Sequence, residues 1–535
     1  MSDEPYEAEL VDFEVADLSR EKDLFKPLFD RILLGTFVVL FLTSATLYYV
    51  LSDSEMINYS QPDFDQESAR TYAEDLIALG HPDWKGRMSG SAEELATAEY
   101  IIQHFEDLGY QPQLNTYQVP MHSIDGEPSL SVCTPGSTSG LIVPCSPADF
   151  GANIQTFNHR MDYVIQGFSG REDIGFGDNV DVIHLGNGSD DSLWAAASGS
   201  VGYIVGGGSI GGNTQIMTKA IENGLTSVIR VNKDYNCGKI EGNDCVPIFK
   251  GTSIDAMKEA NGGTIPNDIA FIAMSKDAGE IFEEIVINGS GRLEMMIDVT
   301  NDNDLTIRVP CGIMYGTTEE LLIVGGHHDT VYHGPGAVDD TSGTASVLEM
   351  ARMFSEIFAE KGIPDRTVKF CTWGGEEEGL WGSTYYVNDN KEDLTKNLRL
   401  YVNLDMNHVD IDYSERGNTV RLFANHPEDY QHISDITVQY LDDNPDIASK
   451  YEILLYLLDG DQGSDKEMPC NSDHCPFVYQ LDDGKRGRAA VCYGSGSWEY
   501  HTYLDDIDRF NEESLGISVT IYGAYIQYLA YNIES

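Results

Sequence analysis

Short apolar segments alternate with helical segments from about residue 290 to the end of the chain, and this alternation restricts the fold class. Four segments have the composition of buried strands: ELLIVGGHHD, TVKFCTWGGEEE, RLYVNLDM and AAVCYGSG. A helical segment between the first two carries Val347, Ala351 and Phe354 on one face. The alternation predicts an α/β fold with a mostly parallel central sheet flanked by helices. LTIRVPCGIMYG, ahead of the first strand, is interpreted as a hairpin.

Five residues of metal-binding type lie at or just beyond the ends of these strands, or in a later aromatic loop. They are His327, Asp339, Glu377, Asp405 and His501. In open α/β sheets the functional site lies beyond the carboxyl ends of the strands, which is where these residues are expected to meet. Two imidazoles and three carboxylates suit zinc. Two divalent ions bring four positive charges, which three carboxylates and a bridging hydroxide neutralise. The set therefore predicts a hydrolase with two metal ions.

The acidic neighbours of these residues have more than one interpretation. Glu376 lies directly before Glu377 and is a candidate general base, although a run of acids is also typical of a solvated turn in an acidic chain. Asp339 and Asp340 precede a helix, where acids are common as caps. One of the two would bridge the ions, and the other would cap the helix.

The roles of four further residues remain open on spacing alone. Asp329 lies two residues after His327, so both side chains point the same way and the carboxylate would orient the imidazole. His501, taken by itself, is equally compatible with a structural histidine. Asp473 and His474 in NSDHCPF are either another ligand pair or a supporting pair.

The segment 324–506 resembles the co-catalytic zinc aminopeptidases, a family with aminopeptidase Y-like and glutamate carboxypeptidase II-like members. The resemblance rests on GGHHDTV, GAVDDTSG, GGEEEGLWGS, NLDM, SDHCPF and YHTYLDD, in that order. RMSGSAEELATAEYI is similar to the helical start of the same catalytic domain. Residues 150–285 are similar to a protease-associated (PA) domain, through GSVGYIVGGG and VPIFKGTSIDAMKEA.

The resemblance implies a role for each matched residue. One Zn²⁺ would be held by His327 and Asp405, the other by Glu377 and His501, and Asp339 would bridge the two ions. The resemblance also implies roles for five residues around the ions. Glu376 would be the general base toward a metal-bridging water, Tyr500 would hydrogen-bond the developing oxyanion, Asp329 would support His327, and Asp473-His474 would lie outside the ligand set.

Composition and length divide the chain into five parts. They are an acidic tail (1–31), a transmembrane anchor (32–51), the N-terminal part of the peptidase domain (63–120), a β-rich PA domain (150–285) and the main peptidase part (290–535). Cysteines close in sequence suggest the disulfides Cys133–Cys145, Cys237–Cys245 and Cys470–Cys475. The odd count of 9 leaves at least one thiol unpaired.

The anchor prediction sets the expected location. ILLGTFVVLFLTSATLYYVL is uncharged and long enough to span a bilayer. The basic residues that precede it place the N-terminus in the cytoplasm and the catalytic part outside the cell or in a lumen. A cleaved signal peptide is the alternative, disfavoured by the long acidic leader and the bulky residues after the apolar run. The net charge of −55 argues against nucleic-acid partners.

These observations predict a membrane-anchored exopeptidase, an aminopeptidase acting on peptide substrates, with a homodimer possible. A carboxypeptidase is the alternative and needs a cation for the terminal carboxylate, for which Arg486 and Arg488 are candidates. A non-catalytic ectodomain on a peptidase scaffold is the alternative from a different class. The intact ligand set and Glu376 argue against it.

Overall fold

The computed structural model describes residues 57–138, 141–143, 145, 153–206, 211–232, 236–240, 245–409, 417–460, 467–481, 487–493 and 497–533. The predicted tail at 1–31 and the predicted anchor at 32–51 lie outside these residues. Within them, no helix combines the length and apolar character needed to cross a bilayer. The elements below belong to one unit, Gln61–Ser535.

Two capped helices and a long strand begin this unit: α1 (Gln66–Ala78), α2 (Ala92–Asp107) and β1 (Gln111–Ile124). The Asp65 carboxylate accepts from the backbone N–H of Glu67, and the Ser91 hydroxyl accepts from that of Glu94. Each cap satisfies a backbone donor that the first turn of a helix leaves unpaired. Gly109 follows α2 with a φ of +85°, which favours glycine.

Residues 129–297 form an insert built on two main sheets and one two-stranded sheet. Its elements are β2 (Ser129–Thr134), β3 (Gly136–Thr138), β4 (Leu141–Val143), β5 (Asn153–Phe157), β6 (Tyr163–Ile165), β7 (Glu172–Ile174), β8 (Val182–His184), α3 (Asp191–Ala196), β9 (Val201–Val205), α4 (Asn213–Asn223), β10 (Ser227–Val231), α5 (Ile254–Ala260), β11 (Ala270–Met274), α6 (Lys276–Phe282) and β12 (Arg292–Ile297). The five-stranded sheet has the order β6-β11-β10-β9-β8 and is parallel except for β6. The antiparallel four-stranded sheet has the order β5-β2-β12-β7. The identity of the insert as a PA domain stays a prediction.

The insert shares its hydrophobic core with the rest of the unit. Ile272 of the five-stranded sheet and Met295 of the four-stranded sheet belong to one buried cluster. The same cluster contains Met88, Val331 and Tyr332 from outside the insert. Removing this shared apolar surface from water stabilises one arrangement of the insert against the catalytic part.

The remaining elements build the catalytic part. They are β13 (Val299–Met314), β14 (Leu321–His327), α7 (Thr341–Lys361), β15 (Thr367–Trp373), α8 (Trp381–Asp389), α9 (Lys391–Asn397), β16 (Leu398–Asp405), β17 (Thr419–Ala424), α10 (Pro427–Asp443), α11 (Pro445–Lys450), β18 (Glu452–Leu457), α12 (His474–Tyr479), β19 (Ala489–Tyr493) and α13 (Glu512–Tyr531). The predicted buried face of α7 is confirmed, since Val347, Ala351 and Phe354 are fully buried.

The central sheet is mixed, which corrects the prediction of a mostly parallel one. Its order is β1-β13-β15-β14-β16-β19-β17-β18. The pairs β15–β14, β14–β16, β16–β19 and β17–β18 are parallel, and the pairs β1–β13, β13–β15 and β19–β17 are antiparallel. The predicted hairpin is also wrong. Its residues belong to the single strand β13, because Leu305 to Ile313 pair with β1 in one unbroken register and leave no turn between them.

Helices cover both faces of the parallel centre, as predicted. Gly325 of β14 faces Trp373 and Tyr401, in the cluster to which α8 and α12 contribute Tyr386 and Phe477. The next residue, Gly326, faces the opposite way, toward the first turn of α7. Such alternation is the period of a strand, so β14 is buried on both sides.

Four disulfides link the described cysteines. The three predicted pairs, Cys133–Cys145, Cys237–Cys245 and Cys470–Cys475, are confirmed. Cys311–Cys371 was not predicted, and it joins two residues that lie opposite each other on β13 and β15. Cys492 remains as a buried free thiol.

Candidate metal centre

Three neighbouring strands deliver predicted ligands to one edge of the sheet. β14 ends at His327 and β16 ends at Asp405, while Glu377 follows the end of β15 by four residues. His327 lies level with Trp373, the last residue of β15. The carboxyl ends of parallel strands meet at the same edge, which explains the convergence. The position predicted from the sequence is confirmed for these three side chains.

Asp339 joins the two histidines. One of its carboxylate oxygens lies 3.2 Å from His327 Nε2, and the other lies 3.0 Å from His501 Nε2. Asp405 lies 4.0 Å from His327 Nε2, and Glu377 lies 2.9 Å from His501 Nε2. The five residues therefore form two sets of nitrogen and oxygen donors that share one carboxylate.

Asp340 also lies within ligand distance of His327 and Asp405, but its oxygens are already used. They accept from the backbone N–H groups of His327 at 3.2 Å, Gly343 at 2.8 Å and Met406 at 2.9 Å. Asp340 is the N-cap of α7 and holds the ends of β14 and β16 together. The helix cap is therefore Asp340, and Asp339 is the member of the pair that faces both histidines.

Asp329 links His327 to the acidic turn formed by residues 376–378. The His327 Nδ1 lies 3.1 Å from the Asp329 carbonyl oxygen and 3.5 Å from its carboxylate. The same carboxylate accepts from the backbone N–H groups of Glu376 at 3.3 Å and Glu377 at 3.4 Å. A partner on Nδ1 leaves Nε2 free to face Asp339, which is how a supporting residue orients a ligand.

Glu376 lines the open side of the site. Its carboxylate lies 3.9 Å from His327 Nε2, and its side chain is 14% exposed, whereas the Asp329 side chain is completely buried. Burial raises the pKa of Glu376 well above its usual value, and the carboxylates of Asp473 and Asp405 raise it further. The group is therefore positioned to accept and release a proton.

The insert contributes to the site, which the sequence did not indicate. Phe249 lies in the insert, and its carbonyl oxygen is 3.0 Å from His501 Nδ1. Lys250, the next residue, donates from Nζ to the Tyr500 hydroxyl at 3.2 Å. The Tyr500 ring stacks on the His501 ring, with centroids 3.8 Å apart.

Two buried residues that sequence reasoning missed support the loop that carries Asp339. The Asp505 carboxylate accepts from the backbone N–H groups of Val338 at 2.8 Å and Asp339 at 3.1 Å. The Arg87 guanidinium donates to the carbonyl oxygens of His328 at 3.2 Å and Pro335 at 3.0 Å. Both lie inside motifs that carry the family resemblance, RMSG and YHTYLDD, and this was the signal available.

Asp473 and His474 lie outside both sets of ligand atoms. Both are fully buried. Burial raises the pKa of Asp473 to about 7 and lowers that of His474 to about 4.

Arg488, a candidate for binding a substrate carboxylate, instead pairs with Asp429 at 2.7 Å. The Arg488 carbonyl oxygen accepts from the backbone N–H of Tyr401. Tyr401 precedes Asp405 by four residues, which is about 13 Å along the strand. Arg486 lies outside the described residues.

The donor set fits divalent cations. Burial and neighbouring acids raise the pKa of Asp405 to about 6, which reflects the cost of several carboxylates in one buried site. One oxygen of Glu377 is buried with no hydrogen-bond partner among the described residues. Cations between the two histidines would offset the repulsion among these carboxylates and would give the unpaired Glu377 oxygen a partner.

Residues 311–525 match the pattern of peptidase family M28. This matched segment contains all five predicted ligands, His327, Asp339, Glu377, Asp405 and His501. An aminopeptidase of Pseudomonas aeruginosa is 36% identical over 115 residues, 22% of this chain and 20% of that protein. A probable glutamate carboxypeptidase of Zea mays, named VP8, is 25% identical over 457 residues, 78% of this chain and 60% of that protein. The chain thus covers less than two thirds of either relative.

Solved structures share the fold of this chain. BSAP, a zinc aminopeptidase from Bacillus subtilis, superposes with a TM-score of 0.59 at 19% identity, over 89% of this chain and 98% of that chain. An aminopeptidase from Aneurinibacillus sp. strain AM-1 superposes with a TM-score of 0.55 at 21% identity, over 87% of this chain and 94% of that chain. The match at residues 311–525 bears out the resemblance to co-catalytic zinc peptidases that the motifs predict, and it supports the predicted class of enzyme, a metallo-exopeptidase.

Proposed function

We propose that this chain is a zinc-dependent aminopeptidase, anchored in a membrane, that removes N-terminal residues from peptides. The observation that carries the proposal is the Asp339 carboxylate, which faces His327 and His501 at the same time while Glu376 lines the open side. The aminopeptidases among the relatives and fold neighbours support the same conclusion.

Two Zn²⁺ ions per chain are proposed. His327 and Asp405 would hold one and Glu377 and His501 the other, with Asp339 shared between them. Zinc, when bound, lowers the pKa of water and polarises a carbonyl oxygen.

Glu376 would move the proton. Its carboxylate accepts a proton from the attacking water and passes it to the nitrogen of the leaving amine. Both transfers need a group whose pKa lies nearer neutrality than that of an ordinary carboxylate, and burial raises the pKa of Glu376. Tyr500, stacked on His501, would donate a hydrogen bond from its hydroxyl group to the carbonyl oxygen as that oxygen becomes negative.

The charge of the site favours an aminopeptidase. The two proposed Zn²⁺ ions and their hydroxide would balance the charges of Glu377, Asp339 and Asp405, so Glu376 is the carboxylate of the four whose charge is left to attract the free ammonium group of a peptide. Arg488 is neutralised by Asp429 and lies toward the other end of its strand.

A carboxypeptidase is the second candidate. Two observations favour it: the long match to the maize protein and the ammonium group of Lys250 beside Tyr500. A peptide pair decides between the two. An aminopeptidase cleaves the free-amine peptide and leaves its N-acetylated form intact, whereas a carboxypeptidase cleaves both and fails on the C-terminal amide. Cleavage of the acetylated form at an undiminished rate would reject the aminopeptidase proposal.

Metal dependence is tested in the same assay. Removal of metal with a chelator should abolish turnover, and two equivalents of Zn²⁺ per chain should restore it. Restoration by one equivalent would contradict the two-ion proposal. Absence of turnover at every metal loading, on free and blocked peptides alike, would leave the non-catalytic ectodomain as the better interpretation.

The membrane anchor at 32–51 and the outward orientation rest on the sequence alone. Fractionation of cells that express the full chain should recover it with membranes, and protease added to intact cells should reach the catalytic part. Recovery in the soluble fraction would contradict the anchor. The homodimer stays a prediction that sedimentation in detergent can check.

A further inference from the structure

Lys250 brings a positive charge from the insert to the edge of the proposed metal site. Its Nζ lies 3.2 Å from the Tyr500 hydroxyl oxygen and 4.3 Å from the centre of the Tyr500 ring. Since that ring stacks on His501, one aromatic side chain separates the ammonium group from a proposed zinc ligand.

The backbone around Lys250 is held on several sides. Its N–H donates to the side chain of Gln166 at 3.0 Å, and its carbonyl oxygen accepts from the N–H of Gly167 at 3.2 Å. The preceding residue, Phe249, is buried and exchanges hydrogen bonds with His501. The starting point of the Lys250 side chain is therefore set by the folded insert.

The direction of the Lys250–Tyr500 hydrogen bond has a chemical consequence. An ammonium group can only donate, so the Tyr500 oxygen is the acceptor. The single proton of the phenol is then left for another acceptor. In peptide hydrolysis the acceptor that gains charge is the carbonyl oxygen of the substrate.

The positive charge acts in the same direction. Through its hydrogen bond to the phenol oxygen, the ammonium group polarises the O–H bond of Tyr500, so the phenol becomes a stronger hydrogen-bond donor to an oxyanion.

We propose that Lys250 is a positioning residue for Tyr500, which orients the phenol so that its proton is donated to the developing oxyanion. This inference rests on the proposed peptidase function and deepens it. It makes the insert part of the machinery that stabilises the transition state.

Two other roles for Lys250 predict different kinetics. A lysine that binds the terminal carboxylate of the substrate would change KM, and only for substrates with a free C-terminus. A lysine that merely anchors the insert would change stability and metal content. A positioning residue changes kcat, and its effect disappears when Tyr500 has no hydroxyl.

The test is a double-mutant cycle on the full chain with Lys250→Met and Tyr500→Phe. We expect Tyr500→Phe to lower kcat about 100-fold, in the range for losing one oxyanion donor. We expect Lys250→Met to lower kcat about 10-fold with KM within about twofold, since it removes the orientation and leaves the donor. The double variant should match Tyr500→Phe alone. Lys250→Arg should recover most of the rate, because arginine also only donates.

The matched control is Lys239→Met. Lys239 also belongs to the insert, is exposed, and places its Nζ 4.9 Å from the ring of Trp498, in the same loop as Tyr500. Its replacement removes an equal charge from the same surface without touching the Tyr500 hydroxyl. We expect its kcat to equal that of the wild type.

Four results would overturn the proposal. They are an unchanged kcat in Lys250→Met, an equal further loss in the Tyr500→Phe background, a rise in KM confined to substrates with a free C-terminus, and a loss of bound zinc by elemental analysis. A wild-type chain with no turnover would refute the proposed function itself. An active wild type with an indifferent Lys250 would refute this inference alone.

Discussion

His501 and Phe249 exchange two hydrogen bonds across the edge of the insert. The Phe249 N–H donates to the His501 carbonyl oxygen at 3.2 Å, and the Phe249 carbonyl oxygen lies 3.0 Å from His501 Nδ1. With Nδ1 occupied, Nε2 faces Asp339 and Glu377. The insert is therefore part of the shell that orients a proposed ligand, even though 252 residues separate the two positions along the chain.

The closeness of the insert to the acidic turn predicts the effect of Gly251→Val. A Cβ at Gly251 would lie 3.1 Å from the carbonyl oxygen of Glu377, so a branched side chain pushes the two segments apart. We expect zinc affinity to fall at least about 10-fold, as when a supporting residue is lost. Competition with a chelator measures it. Gly177→Val is the control, since Gly177 is exposed and has no atom within 4 Å of its Cβ position. Equal affinities in the two variants would contradict the prediction.

Glu376→Gln separates proton transfer from metal binding. We expect kcat to fall by about 10²–10⁴, because the amide cannot accept the proton, while both zinc ions stay bound. Single-turnover kinetics and elemental analysis report the two quantities. Glu360→Gln, at an exposed position on α7, is the control and should behave as the wild type. Turnover that survives in fully loaded Glu376→Gln would show that another group moves the proton.

Asp505→Asn tests the support of the loop that carries Asp339. The Asp505 carboxylate accepts from two backbone N–H groups, and an amide offers only one oxygen to the pair. We expect the free energy of unfolding to fall by about 1–3 kcal/mol, the usual cost of a buried donor left unpaired. Zinc affinity should fall with it. Urea titration measures the first quantity and chelator competition the second. Asp506→Asn, at the next and more exposed position, should leave both unchanged.

His122 predicts a loss of stability in acid. Burial lowers the pKa of His122 to about 4, and neither ring nitrogen has a partner among the described residues. The unfolded chain, with a histidine pKa near 6.5, binds the proton more readily. The contribution of His122 to stability is therefore complete above pH 6.5 and is lost as the pH falls toward 4. Between pH 7 and pH 5 we expect the protonation of His122 to lower the free energy of unfolding by about 2 kcal/mol.

The measurement is urea unfolding of wild type and His122→Phe at both pH values. His122 packs beside Phe168, with ring centroids 5.2 Å apart, so phenylalanine keeps an aromatic contact there. The wild type should lose more stability on acidification than the variant. Equal losses would mean that His122 is protonated as easily in the folded state as in the unfolded state.

Local patterns carried a large part of the predictable structure. The cap at Ser91, the buried face of α7 and the disulfides Cys133–Cys145, Cys237–Cys245 and Cys470–Cys475 involve residues close in sequence. Short loops cost little entropy to close, and helical periodicity is visible in the sequence itself. Cys311–Cys371 spans 60 residues and depends on β13 and β15 becoming neighbours, which no local pattern reports.

The sequence by itself determined the resemblance to a metallopeptidase family, the strands whose ends carry His327, Glu377 and Asp405, and the kind of chemistry that imidazoles and carboxylates support there. Only the tertiary structure decided that Asp339 faces both histidines while Asp340 caps α7, and that Phe249 and Lys250 reach the site from the insert. The physical reason is that composition and periodicity describe what a segment can bury or bind. Which distant segments then meet depends on the path of the whole chain and on the surface buried between its parts.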